Sequence, residues 1–211
     1  MTNILVFGAS ITWGAWDREG GWVQRLRNFV DEKNISNPDY DRMIYNLGIS
    51  GDTTENLLSR LENEVKTRLS EEETIIIFSI GTNDSQFVHD KNDLNIPIEK
   101  FEDNLKELIK QARKYSNKII FIGLCPIDQS KVDPIPWAKD RAYRKELVEK
   151  FDKKIKQICK KEKIYFIGVY EKLIKEDYKK LLEDGVHPNS EGHKKIFQIV
   201  KDFLIEKEVI E

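Results

Sequence analysis

Short apolar, largely β-branched runs recur along the chain at residues 4–7, 43–47, 74–80, 118–124 and 164–169. Runs of this length and composition read as buried strands. Between them the apolar positions switch to helical spacing: Leu57, Leu58, Leu61, Val65 and Leu69, then Phe101, Leu105, Leu108, Ile109 and Ala112, then Tyr143, Leu147, Phe151, Ile155 and Ile158. Each set lays one stripe against a sheet and leaves a charged face to water. Residues 20–30 and 190–204 supply a first and a last helix of the same kind. Strands that alternate with helices imply right-handed βαβ units and a parallel sheet covered on both faces. The pattern predicts an α/β fold: a three-layer α/β/α sandwich around a five-stranded parallel sheet, in one domain over residues 1–211.

At 211 residues the chain is nearer one domain of about 150 residues than two. Its 35 Lys+Arg against 37 Asp+Glu leave a net charge of −2, with no field for a polyanion or an anionic membrane surface, so no nucleic-acid or membrane partner is expected. The N-terminal apolar run is too short for a signal peptide or a span, which makes the cytoplasm the expected location. Cys125 and Cys159 sit in apolar stretches with no His beside them and read as buried free thiols. One irregular stretch, residues 125–139, carries Pro126, Pro134 and Pro136 and follows the fourth strand; it is placed to overhang a site as a substrate wall.

In an open parallel sheet, ligands bind beyond the carboxyl ends of the strands, so the residues just after each run carry the chemical information. After the first comes Gly8-Ala9-Ser10, where the hydroxyl either meets a ligand or caps the next helix. After the second comes Gly48-Ile49-Ser50-Gly51-Asp52-Thr53, whose following helix start offers N–H groups to an anionic transition state, or is a plain capped turn. After the third comes Gly81-Thr82-Asn83-Asp84: the Asn83 carboxamide suits an oxyanion donor or an Asx-turn, and Asp84 orients the loop by accepting backbone N–H bonds. Near the C-terminus, Asp184-Gly185-Val186-His187-Pro188 spaces a carboxylate to accept from a histidine Nδ1–H, leaving Nε2 free to take a proton from a serine. His193 falls in the first turn of the last helix and His89 in a polar surface loop. With only three histidines, no converging metal set is expected. A competing reading makes this a flavodoxin-like binding or receiver domain in which Asp52, Asp84 and Asp128 hold a divalent metal or a phosphoryl group.

Together the four segments resemble the sequence blocks of the SGNH hydrolase superfamily, the GDSL esterases and lipases, in that family's order. The resemblance spans residues 7–188 and implies a flavodoxin-like fold and a serine esterase without a cofactor. It implies Ser10 as nucleophile, Asp184 and His187 as its partners, and an oxyanion hole of Ser10, Gly51 and Asn83. One departure stands out: Ala9 occupies the place of the family's usual Asp before the serine. The substrate expected is a small-molecule ester with a short acyl group, such as an O-acetylated carbohydrate. Lysophospholipid or thioester cleavage, and a catalytically silent binding relative, are the alternatives. Trp13 and Trp16 follow the nucleophile and Trp137 lies in the loop after the fourth strand, so Trp13 and Trp137 are expected at the substrate pocket.

Overall fold

The structure, a computed structural model, describes residues 1–210. The chain runs β1 (Thr2–Gly8), α1 (Ser10–Trp13), α2 (Gly21–Ser36), β2 (Arg42–Gly48), α3 (Thr54–Lys66) and β3 (Glu73–Ser79). It continues through the two-residue strands β4 (Phe87–Val88) and β5 (Asp93–Leu94), then α4 (Ile98–Ala112), β6 (Lys118–Ile122), α5 (Gln129–Val132) and β7 (Arg141–Ala142). It closes with α6 (Lys145–Glu162), β8 (Tyr165–Ile167), α7 (Val169–Leu173), a 3-10 turn at Tyr178–Leu181 and α8 (Ser190–Glu206).

β1, β2, β3, β6 and β8 form one parallel sheet in the order β2-β1-β3-β6-β8. Its strands are the five apolar runs, each bounded within about two residues of its predicted ends. They read as unbroken hydrophobic runs because both faces are covered. Leu5 and Phe7 of β1, Ile76 and Phe78 of β3, and Phe121 of β6 face a core shared with α3, α4 and α6. The alternate residues Ile4, Val6, Ile75, Ile77 and Ile120 face a second core shared with α2, α7 and α8. Strands of period two therefore feed two helix layers at once.

The order places β1 between β2 and β3, so the chain leaves β1 toward one edge and resumes the sheet on the other side. A switch point of this kind opens a crevice at the carboxyl ends of the two strands. The loops that begin at Gly8 and after Ser79 flank that crevice.

The sequence pattern gives no sign of a second, small antiparallel sheet, β5-β4-β7. Phe87 pairs with Leu94 on one side and Ala142 on the other, which ties the loop after β3 to the long loop after β6. Those loops are thereby held together over the crevice. Two further departures concern ends of elements: Tyr143, counted with the α6 stripe, lies ahead of that helix, and α3 stops at Lys66, before Leu69.

Candidate active site

Ser10 opens α1 but does not cap it: Ala9 is the N-cap, with no side-chain capping bond. The Ser10 hydroxyl, almost buried, lies 2.9 Å from His187 Nε2 instead. His187 Nδ1 lies 2.7 Å from Asp184 Oδ2. An ionised carboxylate only accepts, so Nδ1 carries the proton and Nε2 is left to accept from Ser10 Oγ–H. Gly185, at φ +99°, turns the chain between them, in a conformation that side chains rarely adopt. The turn returns the backbone N–H groups of Val186 and His187 to Asp184 Oδ1 at 3.0 and 2.8 Å.

Burial opposes the charge on Asp184, but the His187 ring and those two N–H groups outweigh it and hold the carboxyl well below the usual carboxylate range. Asp184 thus stays ionised wherever a serine esterase would work.

Gly48 and Gly51 have different jobs. A Cβ on Gly48 would meet Trp13 N at 2.4 Å and Ala9 O at 2.9 Å, so its bare backbone is what lets α1 seat on the end of β2. Gly51 has φ +89° and nothing within 4 Å of the place a Cβ would take, so its backbone faces open space. The start of α3 behaves otherwise than the sequence suggests. Thr53 and Asn56 form a reciprocal capping box, and Thr54 N–H donates to Asp84 at 3.0 Å. These N–H groups are consumed inside the fold and do not face a ligand, so the capped-turn reading is the correct one there.

Asn83 is not in an Asx-turn. Its Nδ2 donates to Asp52 O at 2.9 Å, and its Oδ1 accepts from the Tyr143 hydroxyl at 2.6 Å. Gln86 Nε2 in turn donates to the Tyr143 oxygen at 2.7 Å, and Arg141 donates to Gln86 Oε1 at 2.9 Å. This chain of donors fixes which way the amide points and leaves one Nδ2 hydrogen uncommitted. Tyr143 and Asn83 line a small cavity of about 20 Å³ beside Ser10, together with Gly81, Leu124 and Val186. Cys125 also borders it, but burial pushes its thiol up to about 12, so it offers no nucleophile. Beyond Gly51 and Asn83 the cavity gives way to an open, polar cleft bordered by Gln86, Asn95 and Arg141.

Arg60 of α3 binds the loops together from behind. It donates to Asp52 Oδ2 at 2.8 Å and to Leu47 O at 2.8 Å. The competing metal or phosphoryl site does not assemble: Asp52 is paired with Arg60, Asp84 with Thr54, and Asp128 with Lys179 and Ser130. Among the described residues, no three metal-ligating side chains converge. His193 lies in the first turn of α8, fully buried, and His89 is exposed, both as expected.

Trp137 is half exposed, with its ring centroid 6.0 Å from that of His187. Trp13 is equally exposed but sits at the end of α1, its carbonyl against Asn46. The ring joined to the Asp–His pair is Trp16, whose Nε1 lies 2.8 Å from Asp184 Oδ2. Sequence reasoning missed Trp16 in that place, and Tyr143 and Arg60 altogether. Only Trp16 carried a signal, an aromatic within a few residues of the serine.

Fold and site together define the class, an ester hydrolase of the α/β/α type built around a serine. The family model for GDSL-like lipase/acylhydrolase matches residues 4–200, and the chain belongs to that family. A lipase/acylhydrolase from Enterococcus faecalis superposes with a TM-score of 0.76 at 21% identity, over 98% of this chain and 97% of that one. A variant of an acetyl xylan esterase from Geobacillus stearothermophilus superposes with a TM-score of 0.71 at 22% identity, over 97% and 93%. At these identities the likeness is one of fold. No curated protein sequence matches the chain. Among the described residues no helix is long and apolar enough to cross a membrane.

Proposed function

We propose that the protein is a serine esterase that works through an acyl-enzyme, with Ser10 as nucleophile, His187 as general base and Asp184 as the group that orients and stabilises the imidazole. The observation that carries this reading is the continuous contact from Ser10 Oγ to His187 Nε2 and from Nδ1 to Asp184 Oδ2, at 2.9 and 2.7 Å. Ser10 Oγ attacks the ester carbonyl as its proton passes to Nε2. The oxyanion forms against the backbone N–H groups of Ser10 and Gly51 and the uncommitted Nδ2 hydrogen of Asn83. His187 then protonates the leaving alcohol, and water, activated by the same imidazole, releases the acid. No step calls for a metal or an organic cofactor.

The cavity beside Ser10, about 20 Å³, suits a methyl group far better than an alkyl chain, which favours acetyl over longer acyl groups. The polar cleft beyond Asn83 and the exposed ring of Trp137 beside His187 suit a hydroxyl-rich alcohol, so O-acetylated carbohydrate is the substrate proposed. Ala9 in place of the family's Asp is what speaks for a silent relative, and the ordered Ser10–His187–Asp184 contacts favour turnover over it.

The test is hydrolysis of p-nitrophenyl esters from acetyl to long-chain, and of acetylated oligosaccharides, by wild type and Ser10→Ala. The expected result is a preference for acetyl and a loss of at least about 10⁴-fold in the variant, which still folds. Equal turnover by Ser10→Ala overturns the reading.

A further inference from the structure

We propose that Trp16 is a positioning residue for the proton-transfer pair, holding the Asp184 carboxylate through its indole N–H; the proposal rests on the esterase reading above. Three independent features of Trp16 point the same way. It is 60% exposed, so burial of its large ring does not explain its place. Its φ is +67°, an outlying conformation for a bulky side chain, which persists only when the surroundings over-determine it. Its Nε1 comes within 2.8 Å of Asp184 Oδ2 and 3.1 Å of His187 Nδ1. Both ring nitrogens are donors there, so the indole hydrogen belongs to the carboxylate.

The surroundings that hold the strained turn are visible. Ala15 N–H donates to Ser10 O, Ala15 O accepts from the buried ring of His193, and Asp17 accepts from Gly21 N–H and Arg25. Trp16 is thus fixed between the nucleophile's own loop and the α8 end of the fold, and its ring stands edge-on to the imidazole with centroids 5.8 Å apart. Asp184 Oδ1 takes two backbone N–H groups, and Oδ2 takes His187 and Trp16, so every direction of the carboxylate is committed. Sharing Oδ2 has a chemical consequence: the carboxylate oxygen that faces the imidazole is divided between two donors, and loss of the indole would leave it to the imidazole alone. Other ionisable groups around the pair are Asp17, Arg18, Glu19, Arg25 and His193 behind Trp16, Lys180 and Glu183 on the C-terminal side, and Tyr143 with Arg141 and Asp84 across the cavity.

Trp16→Phe keeps a ring and the backbone but removes the donor. The expected result is a lower kcat with KM little changed, and an acid limb of the kcat/KM profile moved to higher pH by up to about one unit, with up to about tenfold lost on that limb and recovered in alkali. The low-field proton resonance of His187 Nδ1–H should move further downfield, because Oδ2 is no longer shared. Trp16→Gly relieves the φ strain and should give the same shift of profile, so the idea remains testable if the phenylalanine variant does not fold. A profile and resonance like wild type, or an effect wholly in KM as for a substrate platform, overturns it. The resonance reads the contact even where no ester is turned over, which separates failure of this proposal from failure of the esterase reading.

Discussion

Tyr143 shows how one hydroxyl can govern a site without touching the nucleophile. Its O–H is the donor to Asn83 Oδ1 at 2.6 Å, and it is buried enough that its own ionisation is pushed up to about 12, so it remains a donor throughout the working range. Tyr143→Phe leaves the amide free to turn and leaves Gln86 without its acceptor. A buried amide group left unpaired costs about 1–3 kcal/mol, and an amide that spends time reversed no longer offers its N–H to the oxyanion of the proposed mechanism. The expected outcome is kcat lowered by roughly 10- to 100-fold with the acyl-chain preference retained, measured on the acetyl ester. A wild-type kcat would show that the amide is held by Asp52 O alone. The tyrosine could not be singled out in the sequence, where it fits the apolar stripe of the helix that follows. It lies ahead of α6, separated from the helix by the extended N-cap Arg144, and so joins the site instead. Ser10, Asp184 and His187 could be singled out as candidates because each stands in a local pattern of glycines and strand ends; the two partners of the Asn83 amide lie 31 and 60 residues from it in sequence, with no local pattern to mark them.

At the scale of elements, the five sheet strands were legible because burial on both faces makes each one a continuous apolar run. The strands of two residues were not, since two residues carry no period and their pairing is set by where the long loops happen to meet. The docking of α3 was also hidden. Thr54 donates to Asp84 through both its N–H and its hydroxyl, the latter at 2.5 Å, while Asn104 of α4 donates to the same hydroxyl at 2.9 Å. One threonine thus joins α3, α4 and the Asn83 loop. Burial pushes Asp84 up to about 6 against those bonds, so its neighbours matter to whether the fold tolerates it. Thr54→Val keeps the shape and removes the hydroxyl. It should destabilise the protein by about 1–3 kcal/mol in a urea titration, with activity falling only as the Asn83 loop loosens. A change within error would mean that the backbone N–H alone secures the loop.

For the molecule as a whole, His193 ties the ends of the chain together and should set part of the dependence of stability on acid. Burial lowers its pKa below 6.5, more than the bond to Ala15 O raises it, so the neutral ring is the folded form. The unfolded chain then binds a proton that the folded one resists. The contribution is present above about pH 6.5 and is lost as pH falls below it. Asp84 and Asp152, both pushed up to about 6 by burial, act in the opposite sense, but equally in wild type and variant. The stability gap between wild type and His193→Gln should therefore narrow between pH 7.5 and 5, as measured by denaturant midpoints. A gap that is constant with pH would remove His193 from this account. The same closure has a temporal meaning. The Ser10–His187 contact joins residues 177 positions apart, so the site does not exist until the last segment of the chain has docked against the first. Turnover by the proposed triad is thus a clock that starts only once the Asp184–His187 turn has docked, and a chain cut short before that turn would be silent however well its sheet had formed.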